Sequence, residues 1–188
     1  MPITEVKNRN FQIPLNFDFR VDRLPDFNYF VQKVNLPTVA LTPASNTGTN
    51  PFVRVNWTGD HMRFGELEVE FKVDEEMRNW YEIFSWMQAI AFPERQAQFG
   101  ALYKNQLKDL DGNIKPAPGN RMGMGVVFGQ GILTVNTSKN NPHLVVNFVD
   151  IHPVSLSEVA FDSTNTDAPN ITSTVNFKYD YFTVEKVK

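Results

Sequence analysis

Few residues in this chain are spaced for chemistry. The three histidines, His61, His143 and His152, stand far apart, without the i, i+4 spacing that sets two imidazoles on one helix face for a metal. Glu66, Glu68 and Glu70 alternate with apolar residues. In a strand that spacing lays three carboxylates along one exposed face, where nothing raises a pKa by burial for acid catalysis. The stretch from Asp109 to Asn113, DLDGN, partly echoes a calcium loop. An EF-hand needs glycine at its sixth position and glutamate at its twelfth. Here glycine is fourth and Asn120 is twelfth, so the stretch reads as a turn. The glycines of NRMGMGVVFGQG, residues 120–131, lack both the spacing and the following helix of a dinucleotide fingerprint. No cysteine is present, which removes disulfides, thiol nucleophiles and cysteine-bound zinc. No catalytic residue, cofactor or metal is expected. A hydrolase using Glu66, Glu68 or Asp109 with His61 would need a cleft that joins these groups.

The elements that must position these residues are those of one β-rich domain spanning 1–188. Of the 188 residues 41% are apolar and 16 are Phe, enough for a sizeable core. The 12 prolines fall mostly between periodic segments, as in strands joined by shaped loops. The formal net charge is −3 and no basic cluster appears, which argues against a duplex-gripping surface. No window has the roughly 18 apolar residues of a membrane helix, and no apolar run near the N-terminus suggests a signal peptide.

Residues 1–16 read as an arm. Residues 17–22 alternate Phe17, Phe19 and Val21 against Asp18, Arg20 and Asp22, a half-buried strand. After a turn over 22–28, a second strand is expected at 29–36. The stretch 37–60 is long and irregular, yet its Val39, Leu41, Phe52, Val55 and Trp57 must pack on something; it reads as an excursion with a short hairpin. Residues 66–73 are the cleanest strand, with Leu67, Val69, Phe71 and Val73 inward.

A helix is expected from Asp74 to Ala91, capped by Asp74 and stopped before Pro93. Its stripe of Met77, Trp80, Tyr81, Phe84, Met87 and Ala91 is widened by Ile83, Trp86 and Ile90. Glu75, Arg78, Asn79, Glu82 and Ser85 make the polar strip. So much apolar surface calls for cover on more than one side, which marks Trp80, Phe84, Trp86, Met87 and Ile90 as core or subunit interface. A second long loop spans 93–125, with a short helical piece around Phe99 to Leu107. Further strands are expected at 126–137, 144–149, 155–161 and 175–184, the last with Val175, Phe177, Tyr179 and Tyr181 on one face. The fold class is therefore mainly β: an antiparallel sandwich or barrel of about seven or eight strands with one central helix packed against it.

Three stretches in order carry a resemblance: NYFVQKVNLP at 28–37, the strand-to-helix unit ELEVEFKVDEEMRNWYEIFSWMQAIAFP at 66–93, and the ending from Asp150 to Val184 with Pro153–Leu156 and the pair Asp162 and Ser163. Together these resemble the tail tube proteins of contractile-tailed bacteriophages, over roughly residues 17–184. The resemblance implies a structural virion protein: hexameric rings stacked into a tube inside a contractile sheath, assembled in the host cytoplasm, with DNA passing through the lumen without specific binding. Tail sheath and baseplate proteins would be the partners, with no membrane insertion. A baseplate-proximal tube initiator shares the pattern. On this reading Glu66, Glu68 and Glu70 are candidates for an acidic lumen face, and Val39, Leu41, Phe52, Val55 and Trp57 for a contact with the next ring. The residues alone leave a monomeric ligand-binding β module, with a groove around Trp57, as a reading of another class.

Overall fold

A computed structural model describes residues 16–42, 44–46, 55–91, 93–103, 107, 111–112, 127–161 and 170–187. Among them are eleven strands and three helices. Phe17–Val21 (β1) is followed by a short helix, Pro25–Tyr29 (α1), and by Val31–Val34 (β2). A thin ribbon comes next: Val39–Leu41 (β3), Ala44–Asn46 (β4), Val55–Trp57 (β5) and Met62–Phe64 (β6). Leu67–Lys72 (β7) leads to Arg78–Ala91 (α2) and Gln96–Tyr103 (α3). The chain closes with Gly129–Asn136 (β8), Pro142–Leu156 (β9), Thr172–Lys178 (β10) and Tyr181–Lys186 (β11).

Seven strands make one antiparallel sheet in the order β1-β8-β9-β10-β7-β2, with β11 also paired to β9. Among the described residues this sheet does not close, so the barrel expectation gives way to an open, bent sheet. Helices among the described residues are three rather than one. Pro25 at the start of α1 supplies the fixed φ that a first helical turn accepts, which is why a stretch with turn composition coils here.

The strand expected at 144–149 extends into one 15-residue strand, β9, which bends at Asp150, while the strand expected at 155–161 keeps only its first two residues, the end of β9, and 157–161 is not strand. Asp150 has a φ of 57°, in the left-handed region. Opposite it, Gly129 pairs with Ile151 and Gly131 with Phe148, so two steps along β8 face three along β9: a β-bulge. The partner on the other side breaks at the same level, where β10 ends at Lys178 and β11 begins at Tyr181. That break reverses the alternation expected for the last strand. Phe182 turns inward against Phe148 and Phe64, while Tyr181 is 48% exposed. Pro153 sits where β9 meets a register shift in β10, a place that tolerates a missing N–H.

The core fills the inside of this bend. Leu67, Val69 and Phe71 of β7 are fully buried, as their alternation requires, with Phe19, Val21, Phe148, Ile151, Val175 and Phe177. Edge-on aromatic pairs link the parts: Phe27 to Phe71 at 5.0 Å and Phe148 to Tyr179 at 5.0 Å between ring centroids. The Tyr179 hydroxyl donates to the Gly65 carbonyl at 3.0 Å, and burial pushes its pKa up to about 12.

The helix starts later than expected, and its other face is buried. Asn79 Oδ1 accepts from the N–H groups of Asp74 and Trp80 at 3.2 and 2.8 Å, and its Nδ2 donates to the Lys72 carbonyl at 2.7 Å. Asn79 thus welds β7 to α2, and the cap role expected of Asp74 passes to it. One turn on, Glu82 Oε2 accepts from the N–H groups of Asp26 and Phe27 at 3.1 and 3.2 Å, holding the start of α1. Asn79, Glu82, Ile83, Trp86 and Ala89 form the buried face.

Beneath α2, Trp86 Nε1 donates to the Val127 carbonyl at 2.9 Å, Arg23 Nε donates to the Phe128 carbonyl at 2.9 Å, and the Gln130 N–H donates to Asp22 Oδ1 at 2.9 Å. Burial raises the Asp22 pKa and lowers that of Arg23, each partly offset by the other's charge. Gly129 is required at this seam, because a Cβ there would stand 2.7 Å from Asp22 Oδ1 and 3.2 Å from the Trp86 ring.

Two measurements test the bend. Asp150→Gly should be tolerated, while Asp150→Val should cost about 1–2 kcal/mol, because a β-branched side chain resists positive φ; urea midpoints read the difference, and equal loss in both variants would contradict the bulge. Tyr179 should titrate near pH 12 in the native protein against about 10 when unfolded. Between those values the folded chain keeps a proton that the unfolded chain has released, so stability should fall as pH rises through that window. Phenolate absorbance read alongside stability in the wild type and Tyr179→Phe tests this, with the variant expected to lose that part of the dependence.

Candidate assembly surfaces

Glu68 and Glu70 lie on the outer side of β7, behind the buried Leu67, Val69 and Phe71, and Glu66 immediately precedes the strand. Their neighbours across the ladders change the character of that face. Glu70 stands between Lys33 of β2 and Thr174 of β10. Glu68 faces Asn176, and its N–H donates to Asn35 Oδ1 at 2.7 Å. Glu66 meets Lys178 Nζ at 3.5 Å, and Lys72 continues the β7 row opposite Thr172. An acidic row in one strand is therefore part of a mixed face, three glutamates among Lys33, Lys72 and Lys178.

The five helix residues divide. Trp86 is enclosed, with 1% exposure. Trp80, Met87 and Ile90 are half-buried and packed against the core. Phe84 stacks on Trp80 at 5.3 Å with an interplanar angle of 12°, yet is 40% exposed. Together with the half-buried Tyr81, 6.4 Å from Phe84, it forms an aromatic ridge on the outer side of α2.

The excursion at 37–60 is the outer part of a long antiparallel ribbon. β2 pairs with β7, β3 with β6, and β4 with β5, all in the same sense. Bonds from Gly65 N–H to Thr38 O at 2.8 Å and from Thr42 N–H to His61 O at 3.3 Å join the pieces. Its inner half completes the sheet; beyond Phe64 it becomes a two-stranded arm. Leu41 and Met62 on the arm are 58% and 57% exposed, and Val39 is exposed too. Val55 and Trp57 lie in β5, opposite Asn46 and Ala44; Phe52 lies outside the described residues.

The candidate chemistry does not gather. His61 bonds the exposed Asp60 on the arm, Glu66 is engaged with Lys178, and Asp109 lies outside the described residues. Asp111 ion-pairs with Arg78 at 3.2 Å, and with Glu76 it raises the Arg78 pKa; Gly112 beside it has a φ of 83°, as a turn needs. Among the described residues no three His, Asp or Glu side chains converge to hold a metal ion, and no helix is long and apolar enough to cross a membrane.

Sequence reasoning missed Asn79 and Glu82 as structural residues. Their signal was positional: 79, 82, 86 and 89 recur at helical spacing, but polar identity disguised two of the four. It also missed the lysines of the mixed face, which belong to strands remote in sequence.

No protein-family profile matches the sequence. A curated relative, the tail tube terminator protein of Enterobacteria phage T4, is 26% identical over 162 residues, covering 85% of this chain and 79% of that protein. Among solved structures, the tube-terminating cap of the anti-feeding prophage aligns over 100% of both chains with a TM-score of 0.58 at 11% identity. A chain from the sheath/tube terminator of the extracellular contractile injection system PVC aligns over 95% of this chain and 99% of that one, with a TM-score of 0.54 at 12% identity. The structural matches share the fold, and the phage relative is similar in sequence over 79% of its length. The chain is thus similar in sequence to a phage tail tube terminator, and it has the fold found in tube and terminator structures of contractile injection systems.

Proposed function

We propose that this chain forms a ring that ends a tail tube, as a terminator rather than as the repeating tube subunit. The observation that carries this reading is the 26% identity to a tube terminator over 85% of the chain. The full-length likeness in fold to a tube-terminating cap supports it. The ring would be a hexamer, placed in the virion tail after assembly in the host cytoplasm, beside sheath proteins and in line with the genome's path. The features of the chain suit such a role. β1, β2 and β11 each have a ladder partner on one side only among the described residues, and an unpaired edge is satisfied when a neighbouring subunit meets it. The arm carrying Val39, Leu41 and Met62 extends beyond the sheet and suits the adjoining ring. The aromatic ridge of Trp80, Tyr81 and Phe84 suits a neighbour within the ring.

The second reading is the repeating tube protein itself, favoured by the fold being common to both roles: a tube-containing sheath–tube complex aligns with a TM-score of 0.50. A third is a baseplate initiator, since a baseplate chain aligns with a TM-score of 0.52. A single assembly experiment separates them. Purified protein should form uniform rings by electron microscopy and, added to growing tubes, should stop their extension at one end. Unlimited tubes formed by the protein alone would favour the repeating subunit. Rings that start tubes on baseplates would favour the initiator. A monomer at all concentrations that neither forms rings nor limits tubes would remove the assembly readings and leave the binding module. Trp86→Glu should abolish ring formation by breaking the fold, since it buries a charge where an indole now sits.

A further inference from the structure

We infer that the mixed outer face of β2, β7 and β10 is a charge-masked surface: its glutamates hide a set of lysines from a polyanion. The inference rests on the reading above, in which nucleic acid passes the assembled ring. The row of Glu66, Glu68 and Glu70 alone would repel a phosphate backbone, and Lys33, Lys72 and Lys178 alone would hold one. The sheet places them together with no net charge. Lys33 stands one strand from Glu70, and Lys178 reaches Glu66 at 3.5 Å. The positions between are neutral: Asn35, Thr172, Thr174 and Asn176.

Spacing decides what a passing duplex meets. Neighbouring strands lie about 4.8 Å apart, and the screening length in physiological salt is about 8 Å. Opposite charges one strand apart therefore cancel within the distance over which salt would screen them. A phosphate beyond that distance meets little force of either sign, and one that comes closer to Lys33 or Lys178 meets a glutamate beside it, while Lys72 lies two residues along β7 from Glu70. Such a face lets a polyanion move along it without a preferred resting place. A purely acidic face would reach the same end by repulsion, and the two devices respond differently when the carboxylates are neutralised. Loss of charge from an acidic face leaves a neutral one. Loss from this face uncovers three lysines per subunit on three adjacent strands.

The test uses a fluorescent DNA duplex with the full-length protein at low and moderate salt. Wild type should show no measurable binding. E66Q/E68Q/E70Q should bind, with log K falling against log salt by about 0.9 for each lysine that meets a phosphate. Adding K33Q/K72Q/K178Q should remove that binding. A triple glutamine variant as inert as wild type, while folded and assembled like it, overturns the inference. So does binding that survives loss of the lysines, or duplex binding by the wild type that these lysine changes abolish. Electron microscopy of the same preparations reads the parent proposal separately. DNA binding gained as predicted by a protein that neither forms rings nor caps tubes leaves the masking standing and removes the passage reading. Capping rings whose triple variant gains no binding remove the masking alone.

Discussion

β9 belongs to both halves of the sheet, and what allows this is the left-handed turn of the chain at Asp150. Before that residue β9 pairs with β8 and β11; after it the main partner is β10. Had the strand continued straight, the two halves would lie in one plane with their apolar faces open to water. The bend brings Phe148 and Ile151 on one strand within reach of Tyr179 and Phe177 on the next, and creates the hollow that Trp86 and Phe27 fill. Extra residues in a ladder normally cost pairing; here the β10–β11 break falls at the same level, so both strands change direction together and each resumes its hydrogen bonds.

The attachment of α2 follows from this geometry. A helix laid into a bent sheet meets it along one narrow face, and the polar groups at its start cannot all reach water. Asn79 settles that problem at the start of α2 by bonding two N–H groups and the Lys72 carbonyl, and Glu82 does the same for the first N–H groups of α1, which α2 packs against. The helical period of 79, 82, 86 and 89 was legible in the sequence, as was the existence of the helix. Its rotation was not, because apolarity pointed to Trp80 and Phe84, and no local rule says that a carboxylate will be buried to hold a helix nearly sixty residues earlier in the chain. The strand 67–72 was legible for the opposite reason: its alternation depends only on itself. The joined strand β9 was obscured by Pro153, which ordinarily ends a strand and here sits at a register shift.

The candidate site was legible in one dimension. The spacing of Glu66, Glu68 and Glu70 suggested one outer face; in β7 Glu68 and Glu70 alternate with the buried Leu67, Val69 and Phe71, and Glu66 stands just before the strand. Their charge environment needed the second dimension of the sheet. Lys33 lies over thirty residues upstream and Lys178 over one hundred downstream, and only the register of β2 and β10 against β7 brings them alongside. Ladder register is set by turns and by core packing across strands, which a single strand's sequence does not carry. The arm at 37–60 shows the same limit: its apolar content announced that it must pack, while its pairing with 62–64, which carries on the pairing of β2 with β7, emerges only in the folded ribbon.

These features bear on why such a domain suits an assembly. A monomer gains nothing from a two-stranded arm with exposed Leu41 and Met62, or from the aromatic ridge at Phe84, and isolated two-stranded ribbons are marginal in water. Each becomes favourable when a second surface removes it from solvent, at roughly 25 cal/mol for each Å² of apolar area covered. The mixed face behaves differently, since its charges are already matched within the chain and gain little from being covered. Apolar arm and ridge on one side of the balance, and a self-compensated polar face on the other, divide the surface into parts that favour contact and a part that can stay wet. Such a division suits an assembly held together through the arm and the ridge rather than through the mixed face.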